Sequence, residues 1–359
     1  MEFPGVLGAA LSLVLIEFKE SSFRWDHHLM IRVAQIGVGY WGPNLLRVLA
    51  TSPRCEVAAV VDLSQERRDF VKGLYPSIHV SDAADAIISD KSIDAVVVST
   101  PVATHFDLVC KSLQSGKHVL VEKPMATSVQ EIDQIADLSK KVGKLAMVGH
   151  TFLFNSAVRY LKDCIDKGVL GEIRYIYSQR LNLGRIRSDV DALWNLAPHD
   201  ISIIQYLLGD PVPSSVKRSG MDFVQENIDD VVFMNLEYPN KVLAHIHVSW
   251  LDPQKVRKLT VVGSKKMVVY DDVADEKIAI YDKGIDRKAV LGESMDYDNP
   301  MPQFVHRTGD ILFPAFSWKE PLKVEVDHYF DCIEGKATCI AGPDHARKVV
   351  GILESGQGE

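Results

Sequence analysis

The stretch Gly37-Val-Gly-Tyr-Trp-Gly42 decides the fold. It follows the apolar run Ile31-Arg-Val-Ala-Gln-Ile36 and opens onto Pro43-Asn-Leu-Leu-Arg-Val-Leu-Ala50. The order predicts strand, glycine-rich turn, helix. Such a turn lets backbone N–H groups approach a pyrophosphate at the positive end of a helix. The next apolar strand, Val57-Ala-Ala-Val-Val61, ends in Asp62. That acid lies about 20 residues past the last glycine, where a carboxylate meets the adenosine ribose hydroxyls. Gly37, Gly39, Tyr40, Trp41, Gly42 and Asp62 are therefore candidate dinucleotide contacts. Asp62 favours NAD over NADP, because a carboxylate repels a 2′-phosphate. Arg67 and Arg68 keep NADP in view as the less favoured cofactor.

Further along, strand and helix signals alternate. Strands are expected at 31–36, 57–62, 77–80, 94–99, 117–121 and 145–149, with helices at 43–51, 64–73, 82–89, 103–115 and 128–142. Runs such as Ala95-Val-Val-Val-Ser99 and His118-Val-Leu-Val-Glu122 suit strands buried on both faces of a parallel sheet. The alternation predicts a doubly wound α/β domain over residues 30–150. After Gly149 the rhythm changes. A helix is expected at about 155–168, followed by alternating runs at 173–180, 230–237, 242–250, 258–263 and 266–270. These predict a second α/β domain, 151–359, with a large, mostly antiparallel open sheet. Residues 283–322, rich in Pro and Gly, read as loop, and the last 35 as helix.

Composition sets the bounds. The chain has 359 residues, 47% hydrophobic and 25% charged, so two sizeable cores are expected. A net charge of −8 and the lack of a basic run argue against nucleic acid as a partner. Five cysteines without a CxxC motif argue against a disulfide framework and for a reducing cytoplasm. Cys332 and Cys339 read as free thiols. The apolar run 5–16 is below the roughly 20 residues that span a bilayer, so no membrane partner is expected. Residues 1–29 read as an N-terminal extension, poorly ordered or a mis-called start.

Three constellations carry possible chemistry. Ser99-Thr-Pro-Val-Ala-Thr-His105 follows the fourth strand, where open α/β sheets bind ligands. Ser99, Thr100, Pro101 and His105 are candidate cofactor contacts; Thr100 or Thr104 capping a helix is the structural alternative. Glu122-Lys-Pro124 ends the fifth strand, and Glu122 and Lys123 are further candidate cofactor contacts. Lys123 there can stabilise alkoxide character as hydride leaves a carbinol carbon. Trp194-Asn-Leu-Ala-Pro-His-Asp200 precedes an apolar helix. Pro198 suits the first helical position, which puts His199 in the first turn, where the helix dipole disfavours the imidazolium. A neutral imidazole can accept a hydroxyl proton, with Asn195 orienting the substrate. Asn155, Arg180, Asn182, Arg185 and Arg187 are further substrate candidates. His245 and His247 share a strand face with no third ligand evident, so no metal site is read from the sequence.

Taken together, Gly37-Val-Gly-Tyr-Trp-Gly-Pro-Asn44, Ser99-Thr-Pro, Glu122-Lys-Pro124 and His199 resemble the Gfo/Idh/MocA oxidoreductase family over about residues 30–350. Gly149-His-Thr-Phe-Leu-Phe-Asn155, Ser178-Gln-Arg-Leu-Asn-Leu-Gly184 and Val248-Ser-Trp-Leu-Asp252 are similar to its UDP-N-acetylglucosamine and UDP-N-acetylglucosaminuronate 3-dehydrogenase branch. The resemblance implies a Rossmann domain, then a domain whose open sheet forms a homodimer or homotetramer face. It also implies that Lys123 and His199 are the catalytic lysine and histidine. Many members carry Asp four residues before the histidine; here Asn195 stands in that place, and it cannot join a proton relay. The implied activity is NAD-dependent oxidation of a sugar secondary alcohol. An inositol dehydrogenase, a deoxysugar 3-ketoreductase and a non-catalytic NAD-binding regulator are the alternatives.

Overall fold

The structure, a computed structural model, describes residues 30–184, 186–288 and 303–355. The expected extension 1–29 and Arg185 lie outside the described residues. Six parallel strands form the first sheet: β1 (Ile31–Ile36), β2 (Cys55–Val61), β3 (His79–Ser81), β4 (Ala95–Val98), β5 (His118–Glu122) and β6 (Ala146–Gly149). Their spatial order is β3-β2-β1-β4-β5-β6. Winding therefore reverses between β1 and β4, and the crevice at that reversal is where such sheets bind ligands. Helices α1 (Gly42–Thr51), α2 (Gln65–Leu74), α3 (Ala84–Ser89), α4 (His105–Gln114) and α5 (Val129–Val142) connect the strands. Every residue of β4 and β6 is buried, as two-sided helix cover requires.

The second sheet has eight strands in the order β14-β13-β12-β11-β7-β10-β9-β8. They are β7 (Ile173–Leu183), β8 (Ser215–Met221), β9 (Val231–Tyr238), β10 (Val242–Ser249), β11 (Leu251–Gly263), β12 (Met267–Asp271), β13 (Ile278–Lys288) and β14 (Gln303–Leu312). Only the β7–β10 pair is parallel. Helices α6 (Ser156–Asp166) and α7 (Ala192–Leu208) cover one face. Leu193, Ile201 and Ile204 of α7 pack there with Ile176, Met234, Ile246 and Val261 from the strands. The other face carries Phe233, His245 and His247, and the Phe233 ring lies 4.3 Å from that of His247.

Two expectations need correcting. Part of the expected loop 283–322 is a β13–β14 hairpin. Its glycines are not loop breakers: they make room for side chains crossing the hairpin. A Cβ on Gly284 would lie 2.6 Å from Arg307 Nη2. Arg307 Nε and Nη1 donate to Asp282 Oδ1 at 3.1 Å and Asp286 Oδ1 at 2.6 Å. The C-terminal helices α8 (Pro321–Ile333) and α9 (Pro343–Ser355) also do not belong to one core. Leu322, Val326, Tyr329 and Phe330 of α8 join the first core, while α9 contributes Ala346 and Val350 to the first and Val349, Ile352 and Leu353 to the second. The expected boundary at 150/151 therefore does not separate the two cores cleanly. Among the described residues, no helix is long and apolar enough to cross a membrane.

Candidate active site

The glycine turn is held by its neighbours. Gln35, fully buried on β1, donates its amide N–H to Gly37 O at 3.0 Å and to Gly42 O at 2.9 Å. Ser99 Oγ donates to Gly37 O at 2.7 Å. Gly37 has φ +93°, and a Cβ there would sit 2.6 Å from Ser99 O, so only glycine fits. At Gly39 an added Cβ would meet nothing within 4 Å. No side chain caps the N-terminus of α1. An open turn with uncapped first-turn N–H groups fits a dinucleotide phosphate. Tyr40 and Trp41 are exposed beside it.

Asp62 is tied to the glycine turn. Its Oδ2 accepts from Val38 N–H at 2.8 Å, pinning the turn, and its Oδ1 accepts from Ser64 N–H at 2.9 Å. Each carboxylate oxygen keeps a second lone pair for a ligand hydroxyl. Arg68 turns away from a 2′-phosphate role: Nη1 donates to Asp62 O at 2.7 Å and Leu63 O at 3.0 Å.

Ser99, Thr100 and Pro101 line the crevice mouth, partly or fully exposed. His105 does not reach it. Its ring is 1% exposed and bridges Thr100 O at 2.9 Å and Pro124 O at 2.8 Å. The expectation of a cofactor contact is corrected: His105 ties together the two loops that follow β4 and β5. Neither Thr100 nor Thr104 caps α4; their hydroxyls bond each other at 2.7 Å.

Lys123 follows β5 and, with Glu122, is partly buried. The Lys123–Pro124 peptide is cis. Lys123 Nζ donates to the backbone carbonyl of Asn195 at 2.9 Å. Burial lowers the lysine pKa, the Glu122 charge opposes that, and Arg187 and Arg180 add to the lowering. Burial raises the Glu122 carboxyl, and the Lys123 charge pulls it back. Gly149, beside Glu122 across the β5–β6 ladder, leaves room for that carboxyl: a Cβ would be 3.3 Å from Oε1. Behind it lies Glu325 of α8, fully buried, which accepts from Thr151 Oγ1 at 2.7 Å. Burial, with the Glu122 charge nearby, pushes the Glu325 carboxyl well above the usual range.

Pro198 is not the first residue of its helix. Helix α7 starts at Ala192, capped by Asp191, whose Oδ1 accepts from Trp194 N–H at 2.8 Å. Pro198 lies inside the helix and leaves the Trp194 carbonyl without its usual intrahelical donor. His199 is thus two turns in, and the dipole argument for its neutrality fails. Burial holds its pKa well below the usual value, and the positive charges of Lys123 and Arg180 add to this. Asn195 and His199 lie one turn apart on the same face. His199 Nδ1 is buried without a hydrogen-bond partner among the described residues. Its ring meets Phe152 edge-on at 5.1 Å.

Arg180, on β7, forms a buried pair with Asp200: Nε to Oδ2 is 2.6 Å and Nη2 to Oδ1 is 3.4 Å. Its guanidinium lies 4.6 Å from the Phe152 ring centre. Arg180 therefore braces the ring beside His199. Arg187 is half-exposed and pairs with Asp189. Asn182 lies against Gly184, whose added Cβ would be 2.6 Å from Asn182 Nδ2. Asn155 is 2% exposed, caps α6 through Ala157 N–H at 2.9 Å, and donates to Tyr270 Oη at 3.2 Å. With both ends of its amide engaged in the core, it is corrected from a substrate candidate to a structural cap. Sequence reasoning also missed His150, 1% exposed, edge-on to His345 at 5.2 Å. His345 Nδ1 bonds Asp210 Oδ1 at 2.9 Å. His150 and Phe152 lie in the 149–155 stretch and Asp200 closes the 194–200 stretch, but neither spacing gave them a role, and no motif marks Asp210, Glu325 or His345; long-range packing brings them together.

Comparison with known proteins places this arrangement. Residues 31–150 match the oxidoreductase family described by its NAD-binding Rossmann fold. Residues 158–269 match the GFO/IDH/MocA C-terminal domain. The uncharacterized oxidoreductase YdgJ of Escherichia coli (strain K12) is 31% identical over 66% of this chain and 69% of its own. A 2,7-anhydro-N-acetylneuraminate hydratase of the same organism is 30% identical, and the match spans 60% of each protein. In fold, the chain is similar to the UDP-N-acetylglucosamine 3-dehydrogenase GnnA from Acidithiobacillus ferrooxidans. That TM-score is 0.73 at 21% identity, over 90% of this chain and 95% of the other.

Proposed function

The chain belongs to the Gfo/Idh/MocA oxidoreductase family, and from that premise we propose that it oxidises a secondary hydroxyl of a UDP-N-acetyl sugar, at C3, with NAD as acceptor. One observation carries the reading: Lys123 Nζ sits 2.9 Å from the Asn195 carbonyl, which joins the end of β5 to the helix that bears His199. A cation and a neutral imidazole thus converge where β5 ends.

Bound NAD supplies the hydride acceptor. Gly37, Gly39 and Gly42, with the α1 N-terminus, hold its phosphates, and Asp62 takes its ribose hydroxyls. Ser99, Thr100 and Pro101 form the wall beside the reacting ring. His199, kept neutral by burial, accepts the sugar hydroxyl proton. Lys123 donates a hydrogen bond to that oxygen as its charge develops. Asn195 orients the sugar. Arg187 and Asn182 stand at the start of the second domain, where they would meet the distal part of a nucleotide sugar. The motifs at 149–155, 178–184 and 248–252 support the substrate class, and N-acetyl sugars recur in the names of the hydratase and dehydrogenase relatives.

The open face of the second sheet is the proposed subunit contact, because Phe233, Leu243 and Tyr175 lie exposed on it. A dimer or tetramer in light scattering supports this; a monomer refutes it. Five cysteines without a CxxC motif support a reducing cytoplasm as the compartment.

The test is an NAD-reduction screen over UDP-sugars, free sugars and inositols. NADH formed fastest with a UDP-N-acetyl sugar supports the reading. Preference for an inositol moves the substrate, a hydration product without net NADH moves the reaction class, and no turnover at all favours a binding regulator.

A further inference from the structure

Outside this site, one cluster of side chains has the chemistry of a ligand set. His328 and Cys332 stand one turn apart on α8, and Cys339 comes from the loop between α8 and α9. His328 Nε2 is 3.4 Å from Cys332 Sγ. The three ligand atoms all lie within 4.8 Å of one another, and all three residues are partly buried.

These spacings suit one ion. Tetrahedral zinc, with Zn–N of about 2.0 Å and Zn–S of about 2.3 Å, sets N···S near ~3.5 Å and S···S near ~3.8 Å. The observed 3.4 Å matches the first distance, and the pairs with Cys339 lie within 4.8 Å. The Ile340 N–H points at Nε2 from a weak 3.4 Å, so that nitrogen carries the lone pair. The ring packs against Phe154 at 5.2 Å, which limits its rotation. Cys339 also lines a cavity of about 490 Å³ with Lys162, Tyr206, Asp210 and His345.

We propose that His328 Nε2, Cys332 Sγ and Cys339 Sγ bind one zinc-like divalent ion, with water in the fourth position. Binding exchanges two thiol protons for the ion, and no electron moves. The role is structural. The same loop lays the Ala341 carbonyl on the Val148 N–H of β6 at 2.8 Å. An ion joining Cys339 to α8 would clamp that loop onto the edge of the first sheet.

The test uses the full-length, reduced, chelator-treated protein titrated with Co²⁺ without oxygen. One Co²⁺ per chain should bind, with a thiolate-to-cobalt charge-transfer band that Zn²⁺ abolishes. Saturating Zn²⁺ should raise the melting temperature by roughly 5 °C. Cys332→Ser and His328→Ala should each weaken binding about 100-fold or more. Should a variant fail to fold, the unsubstituted chain decides: Zn²⁺ must slow alkylation of Cys332 and Cys339 but not of Cys110. Absence of stoichiometric binding, unchanged binding in Cys332→Ser, or alkylation of Cys332 and Cys339 unaffected by Zn²⁺ would overturn the proposal. So would a Cys332–Cys339 disulfide in chain that takes up no metal after reduction.

Discussion

Lys123 and Asn195 are joined through a backbone atom: the lysine Nζ donates to the asparagine main-chain carbonyl at 2.9 Å. The Asn195 side chain is therefore free for a ligand, and its removal should leave Lys123 in place. Asn195→Ala should raise the sugar KM about 10-fold while kcat stays within a few-fold. Lys123→Ala should lower kcat by about 10²- to 10⁴-fold with NAD affinity unchanged. Steady-state kinetics and calorimetric NAD titration separate the two cases. Loss of NAD binding in Lys123→Ala would mean that the lysine holds the cofactor and does not serve the reaction.

The pH profile should carry the lysine's signature. Burial lowers its pKa to about 8, and the Glu122 charge is what keeps it from falling further. kcat/KM should thus decline as pH rises through about 8, when the ammonium is lost. Glu122→Gln removes the supporting charge, so the basic limb should move to lower pH. A basic limb that stays put would separate it from Lys123.

Glu325 should cost stability at neutral pH. Its folded-state pKa is raised, so its favourable contribution holds below the unfolded value of about 4.3. That contribution is lost as pH climbs toward the folded pKa, because the unfolded chain ionises and the native one does not. Glu325→Gln keeps the Thr151 bond and should stabilise the fold by about 1 kcal/mol or more at pH 7.5. The gain should vanish near pH 4. Thermal melts of both proteins across that range measure it; equal destabilisation at every pH would point to packing alone.

Asp62 should set both cofactor affinity and loop order. Asp62→Ser removes the acceptor for the Val38 N–H as well as the ribose partner. NAD should bind about 10- to 100-fold more weakly, and the preference over NADP should shrink. Fluorescence titration with both cofactors checks this. Unchanged discrimination would shift the 2′ reading to other residues.

Much of this was legible in the chain. The pattern at 31–50 specifies strand, turn and helix because its glycines, its period and its Pro43 all agree. The β4 and β5 runs are legible because a two-sided burial demands unbroken apolar residues. Pro198 misled because a strong local rule lost to Asp191 capping and to the burial of Ala192 and Leu193. The β13–β14 hairpin hid behind Gly284, which makes room for the Arg307 side chain, and Gly309, which lies against the Asp282 backbone carbonyl. The edge strand β8, with Ser215, Lys217, Arg218 and Ser219 among its seven residues, lacks an unbroken apolar run because none of it is fully buried. Glu325 and Arg180 act across more than one element, and no local spacing records such partners.

The central claim is hydride transfer from C3 of a UDP-N-acetyl sugar to the nicotinamide. The most direct measurement incubates the protein with NAD and UDP-N-acetylglucosamine deuterated at C3, then analyses the reduced cofactor by mass spectrometry. The account predicts one deuterium per reduced nicotinamide, with none formed by the Lys123→Ala protein above trace level. Reduced cofactor without deuterium, or no reduced cofactor from a protein that binds NAD, would contradict it.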